Sequence, residues 1–258
     1  MKRIVTALVL VPIFVYTVVW AQPWVFWLAV AMVSSLCFRE YSALVGLHHI
    51  QPPGLFGYAA GLVLLILPQP QFAFLVIVAV LALALSLRSR ELAEALPFAG
   101  ALVLGILYTY GAMRCAVELR SIDMYWLLFA LSLNWVGDVA AFYVGRTIGR
   151  HKLAPRISPG KSWEGSIASV VAACLYAALF FPRLLPHVPL LEALAVAAIG
   201  NVSGQIGDLC ESALKRGAGV KDSGNLLPGH GGWLDRVDSS LFALPVVYFL
   251  VSNLRFQP

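Results

Sequence analysis

Apolar runs close to membrane-spanning length recur along this chain, separated by short polar or charged stretches. Nine can be marked, at roughly 4–20, 24–38, 54–67, 72–87, 95–113, 125–144, 163–181, 190–207 and 239–251. About twenty apolar residues in a helix cross the hydrocarbon core of a bilayer, and a helix satisfies its own backbone polar groups there. The pattern therefore predicts an all-α, polytopic helical membrane protein with about nine transmembrane helices. The second and third runs are short, so tilted, re-entrant or merged helices are expected in that region. No repeat, low-complexity tract or linker divides the chain, which reads as a single integral-membrane domain over residues 1–258.

Composition agrees. The chain is 60% hydrophobic and 12% charged, with a mean hydropathy of +0.83. Too little polar surface remains to cover a water-soluble globule. A net charge of +5 would suggest nucleic acid in a soluble protein. Here it is expected to sit in loops facing anionic head groups, with no nucleic-acid partner. With a cytoplasmic N-terminus, loops on that side carry fourteen of the eighteen Lys and Arg residues; only Arg114, Arg120, Arg183 and Arg255 fall on the other. The positive-inside rule favours that orientation in a cell (inner) membrane.

Met1-Lys2-Arg3 and the following apolar run have some features of a signal peptide, but a first spanning helix explains them as well. Cys37, Cys115, Cys174 and Cys210 form no CxxC pair, and no disulfide framework is implied. His48 and His49 fall in an expected interfacial loop and carry no clear message.

The apolar pattern breaks between 204 and 239, in GQIGDLCESALKRGAGVKDSGNLLPGHGGWLDRVDS. Asp208, Asp222, Asp235 and Asp238 stand there among Lys215, Arg216, Lys221 and Arg236. Carboxylates offer hard oxygen ligands to a cation, Lys and Arg neutralise phosphate, and glycines let backbone N–H groups approach it. Together they suit a metal ion holding a polyphosphate at a membrane edge. Asn201, Gln205, Asp208, Ser212 and Lys215 recur at steps of four and three, placing them on one helix face. That stripe should line a wet cavity or meet another helix. Asp235 and Asp238 lie three apart at the start of the last apolar run, where a helix N-terminus favours negative charge. Asp208, Asp235 and Asp238 are thus the expected metal ligands, with Asp222 ranked below them. A tight turn through His230, Gly231 and Gly232 can present N–H groups to phosphate.

A second polar loop reads GRTIGRHKLAPRISPGKSWEGS from Gly145. Gly160-Lys161-Ser162 matches the end of a phosphate-binding P-loop, but Pro155 occupies the first glycine position and no parallel strand precedes it. That reading fails, and Lys161 remains as a cation for an anionic ligand. The hairpin of the seventh and eighth runs brings this loop and the 207–238 loop to one side of the membrane. Asp138, one turn from Asn134 on the sixth run, is an intramembrane carboxylate and a second-rank candidate. Chemistry concentrates in residues 134–239.

The segment 212–238 resembles the signature of the phosphatidate cytidylyltransferases, also called CDP-diacylglycerol synthases. The matching residues are Ser212, Lys215-Arg216, Lys221-Asp222, Gly224, Leu227-Pro228, His230-Gly231-Gly232, Asp235-Arg236 and Asp238, joined upstream by Gly207-Asp208-Leu209 and HKLAPRISPGKSWEG. Trp233 departs from the aliphatic residue or Phe usual there. The resemblance implies transfer of CMP from CTP to phosphatidate, giving CDP-diacylglycerol and pyrophosphate with Mg²⁺ required. On that reading Asp208, Asp235 and Asp238 hold one or two cations, and Lys215 and Arg216 assist catalysis. Lys161, Ser212, Lys221, Asp222, His230, Gly231, Gly232 and Arg236 bind substrate. A second copy of the chain, as a homodimer, is carried as a further partner. Two other classes share features of such a site: a CTP-dependent polyprenol or phytol kinase (or a cytidylyltransferase for another lipid), and an ion-coupled transporter.

Overall fold

The structure, a computed structural model, describes residues 12–67, 72–89, 91–227, 229 and 231–253. Helices dominate it: α1 (residues 12–19), α2 (Pro23–Leu47), α3 (Leu55–Ile66), α4 (Phe72–Ser86), α5 (Ala95–Gly105), α6 (Ala112–Ile122), α7 (Met124–Thr147), α8 (Trp163–Leu184), α9 (Leu190–Gly217) and α10 (Leu234–Asn253). Five helical runs are long and apolar enough to cross a membrane: α2, the continuous run Leu92–Ile122, α7, α8 and α9. α3 and α4 are shorter apolar helices. The all-helical, membrane-type fold expected from the apolar pattern is present.

Three local differences from the expected layout matter. α2 does not stop near residue 38 but continues to Leu47, taking Arg39 and Glu40 into the helix. The fifth run does not stop near residue 113: a π-helical turn, Ile106–Gly111, joins α5 to α6, so Arg114 lies inside a helix. The 145–162 stretch contains an antiparallel hairpin, β1 (Lys152–Ala154) with β2 (Ser158–Ser162).

The chain divides into two compact units. Unit 1 comprises Gln22–Arg114 with Leu214–Arg236. Its core is aromatic: Phe38, Tyr41 and Tyr110 are buried, with Phe38 5.6 Å from Tyr110 and 4.9 Å from Tyr58 between ring centroids. Small residues make room for these rings. A methyl group at Gly61 would run into Tyr110, and one at Gly57 into Phe38. Close packing through small residues is how helices associate where lipid is as apolar as leucine. The buried hydroxyls find partners, Tyr41 donating to the Ala101 carbonyl and Tyr110 to Ser35 at 3.0 Å each. Arg114 donates to the Leu65 carbonyl at 2.5 Å, its guanidinium 5.4 Å from the Trp27 ring centre.

Unit 2 comprises Cys115–Ala213, residues 12–21 and the chain from Val237. α7 packs on α8 through Trp126, Phe129, Tyr176, Phe180 and Phe181, and Tyr176 pairs with the Ser132 hydroxyl at 2.7 Å. On α8 the small residues Ser169, Ala173 and Ala177 are buried, while Ile167, Val171, Leu175 and Leu179 are exposed. This one-sided pattern is that of a helix with a packed face and a lipid face. Arg120 binds the carbonyls of Val18 and Ala21 at 2.8 and 2.6 Å, satisfying acceptors at the end of α1.

Candidate functional site

In unit 2 the charges gather at the ends of α8 and α9. Ser162 caps α8 by accepting the Gly165 N–H, which fixes β2 against the helix and sets the neighbouring Lys161. The Lys161 ammonium lies 2.6 Å from Asp208 Oδ2 on α9. The GKS loop and the aspartate of the second polar segment therefore meet. Ser212, one turn beyond Asp208, donates to its Oδ1 at 3.3 Å. Asp138 on α7 is exposed and within electrostatic reach of both Asp208 and Lys161.

The part of the polar stripe nearer the membrane interior does different work. Gln205 bonds Asn201 at 2.8 Å and the Ser166 carbonyl at 3.2 Å, and accepts the Ser166 hydroxyl at 2.5 Å. Asn201 reaches Asn134 of α7 at 3.5 Å. These amides hold α7, α8 and α9 together, as polar side chains do between membrane helices. At Gly207 a methyl group would lie 2.8 Å from the Asp238 carbonyl and 2.9 Å from Phe242, so α9 and α10 pass closely there. That passage brings the helix segments bearing Asp208 and Asp238 side by side. Asp238 accepts the Ser239 N–H at 2.6 Å.

In unit 1 the end of α9, the loop after it and the start of α10 form a second charged cluster. Lys215 and Asp235 pair at 2.5 Å. The other Asp235 oxygen accepts from Gly232 N–H at 2.8 Å, Ser223 N–H at 2.9 Å and the Ser223 hydroxyl at 3.0 Å. Burial pushes this carboxyl's pKa up, but Lys215 and the N–H groups of Gly232 and Ser223 outweigh it and hold it below its ordinary value. The loop turns tightly: Leu227 N–H bonds the Gly231 carbonyl at 3.0 Å, and Gly229 and Gly231 take φ of 77° and 78°. A side chain at Gly231 would be strained by that φ and would meet Asp235 and Asp222. Arg216, Lys221, Asp222 and Arg236 are exposed, with Arg216 donating to the Val220 carbonyl at 3.1 Å. His230 and Pro228 lie outside the described residues.

Glu40 was missed from the sequence. It is 4% exposed, and its carboxylate accepts the N–H groups of Trp233 and Leu234 and the Ser223 hydroxyl. An Arg-Glu pair at the end of an apolar run looks like an interfacial anchor. The available signal was an acidic residue that such anchoring does not need.

Among the described residues, no three His, Cys, Asp or Glu side chains converge as a ready-made cation cage. The clusters instead pair carboxylates with lysines, beside exposed cations and a turn rich in glycine.

The profile of the Cytidylyltransferase family matches residues 1–254 of the chain. Proteins named phosphatidate cytidylyltransferase are similar to it. That of Bacillus subtilis (strain 168) is 41% identical over 156 residues, 59% of this chain and 58% of the relative. That of Staphylococcus aureus (strain COL) is 39% identical over 155 residues, 59% of each. The uncharacterized protein YnbB of Escherichia coli (strain K12) is 42% identical over 125 residues, 48% of this chain and 42% of YnbB. The matched stretch spans a little over half the length of the two phosphatidate cytidylyltransferases and less than half of YnbB.

Proposed function

The chain belongs to the cytidylyltransferase family, and on that footing we propose that it transfers the cytidylyl group of CTP to phosphatidate, releasing pyrophosphate and forming CDP-diacylglycerol. The observation that carries this reading is the Lys161–Asp208 contact, because it brings the lysine of the first polar loop to the first aspartate of the second polar segment. A phosphate oxygen of phosphatidate forms the new bond to the α-phosphorus of CTP, and the bond from that phosphorus to the β-phosphate bridging oxygen breaks. The phosphomonoester is already largely ionised near neutral pH, so no strong general base is required. What the protein must supply is charge neutralisation and in-line placement.

The exposed side chains of Arg216, Lys221 and Arg236 would gather phosphate charge. Lys161 and Lys215 stand beside the carboxylates and would orient the phosphates nearest them. Ser212, Asp222, His230, Gly231 and Gly232 complete the proposed substrate-binding set. Mg²⁺, which the family resemblance implies, requires hard oxygen donors, and the residues present fit it. Asp208 and Asp235 each hold an ammonium group within 2.6 Å, so both carboxylates already face cationic groups. The proposed ligands are Asp208, Asp235 and Asp238, with Asp138 in reserve. Mg²⁺ commonly uses one or two carboxylates and takes the rest of its shell from substrate phosphates and water. When bound, the ion neutralises charge on the α-phosphate and the departing pyrophosphate.

The proposed setting is the cell membrane, with nine spans, a cytoplasmic N-terminus and the site on the cytoplasmic side. The fourteen-to-four distribution of basic residues supports it. Cysteines placed at Lys161 and Lys221 in a cysteine-free background should resist an impermeant thiol reagent in intact cells and react once the membrane is opened. The reaction is tested by incubating the purified protein with labelled CTP and phosphatidate. A labelled CDP-lipid is expected; a phosphorylated polyprenol formed in its place, or no product, would overturn the assignment.

A further inference from the structure

An ionised carboxylate withdrawn from water is costly unless its lone pairs are taken up by donors. Glu40 meets that requirement through a distant part of the chain. Its Oε1 accepts Trp233 N–H at 3.0 Å, and its Oε2 accepts Leu234 N–H and the Ser223 hydroxyl at 2.8 Å each. Trp233 and Leu234 stand at the entrance to α10. The first N–H groups of a helix have no acceptor within it, and their end of the helix carries partial positive charge. Glu40 thus caps α10 from another helix, 194 residues away in sequence from Leu234.

The fit depends on glycines. A methyl group at Gly232 would run into Glu40 Oε2 and the Ser223 hydroxyl, and one at Gly224 would lie 2.8 Å from Oε1. Two residues of the glycine-rich turn are therefore small because a carboxylate occupies the space beside them. Ser223 joins this carboxylate to the next, its hydroxyl lying 2.8 Å from Glu40 and 3.0 Å from Asp235. Its single proton serves one at a time, while its N–H stays on Asp235. Just past the end of α2, His48 Nε2 lies 2.9 Å from the Leu214 carbonyl, at the other end of the same segment. α2 thus grips the stretch 214–236 near both of its ends.

We propose that Glu40 is a positioning residue of the reaction: its carboxylate fixes the backbone at Trp233 and Leu234 so that Asp235 and Lys215 are held in their working arrangement. The proposal rests on the assignment of that segment to the cytidylyltransferase site. Glu40 need not touch substrate. Glu40 shares the Ser223 hydroxyl with Asp235, whose partner is Lys215, while the exposed Arg216 donates to the Val220 carbonyl, so loss of Glu40 should fall on kcat more than on KM.

The test uses the full-length protein with Glu40→Gln, Glu40→Asp and Ser223→Ala. Glutamine keeps the size of the side chain but turns an NH₂ group toward a donor. Aspartate is one methylene too short to serve all three donors. For Glu40→Gln, kcat should fall at least ~10-fold with the KM for CTP changed less than ~3-fold, the size of effect seen when groups supporting an active site are removed. The Trp233 and Leu234 amides should exchange at least ~10-fold faster, with amides of α7 and α8 unchanged. Glu40→Asp should recover part of both losses. Should Glu40→Gln fail to fold, Ser223→Ala carries the same test, since it removes one donor and leaves the carboxylate in place; it should lower kcat and leave KM unchanged. Wild-type kcat in Glu40→Gln, or in Ser223→Ala where that variant carries the test, would overturn the proposal. So would unaltered exchange at Trp233 and Leu234, or a loss appearing only in KM. A wild-type protein that makes no CDP-lipid would overturn the reaction assignment instead, with the exchange experiment still deciding whether Glu40 holds the loop.

Discussion

The Lys215 ammonium lies 2.5 Å from Asp235 Oδ1, with the two side chains only 10% and 5% exposed. A paired charge in such a place depends on its partner far more than a surface pair does. Lys215→Ala or Asp235→Asn alone should lower stability by about 1–3 kcal/mol, because each removes a charged hydrogen-bond partner from a largely buried group. The double substitution should cost less than the sum of the two. Denaturation of the detergent-solubilised single and double variants measures that difference, and simple additivity would show the pair to be uncoupled.

The same carboxylate gives a pH dependence. Burial raises the Asp235 pKa, but Lys215 and the N–H groups of Gly232 and Ser223 lower it more, leaving it below the ordinary 3.8. A carboxyl depressed in the folded state stabilises the protein above its unfolded pKa, and that contribution is lost as pH falls through the folded value. Wild type should therefore lose more stability than Asp235→Asn on going from about pH 6 to about pH 3. Parallel losses would show that Asp235 contributes none of the acid sensitivity.

Asp208 should behave differently. It and Lys161 remain 29% and 28% exposed, so their pairing should contribute less than about 1 kcal/mol to stability. Asp208→Asn should nevertheless lower CDP-lipid formation by at least ~100-fold, as removal of a preorganised charged group does. A thermal midpoint close to wild type together with lost turnover is the expected signature. Turnover close to wild type in both Asp208→Asn and Asp238→Asn would remove them from the reaction.

Chelation separates metal from cation chemistry. Product formation should vanish in excess chelator and return with Mg²⁺, which would supply charge neutralisation at the α-phosphate and the departing pyrophosphate. Arg216→Ala, at an exposed position, should leave a slow but measurable rate at saturating substrate. Steady product formation by wild type in chelator would show the carboxylates to be structural.

Much of this was legible because membrane helices are written in composition. α7, α8 and α9 each contain the apolar run that predicts them. The approach of Lys161 to Asp208 was legible in outline, because a helical hairpin must return its two ends to one side. Helix ends were less so. Arg39 and Glu40 looked like residues that end α2, but the Glu40 charge is satisfied by backbone N–H groups 193 and 194 residues away, a pairing with no local pattern. Arg114 looked like a loop residue, yet it is buried against the Leu65 carbonyl and the Trp27 ring. The β1–β2 hairpin was invisible because its three-residue first strand is too short for alternation to register.

The wide turn Ile106–Gly111 amounts to a single-residue change of reading frame inside an otherwise regular helix. One extra residue rotates everything beyond it by about 100° around the axis. Arg114 follows that turn by three residues and points at a carbonyl and an indole ring. Deleting one residue from the turn would leave composition and length almost untouched while swinging this guanidinium to another face of the helix. A hydropathy profile would register no change, yet the helix would present a different surface to its neighbours.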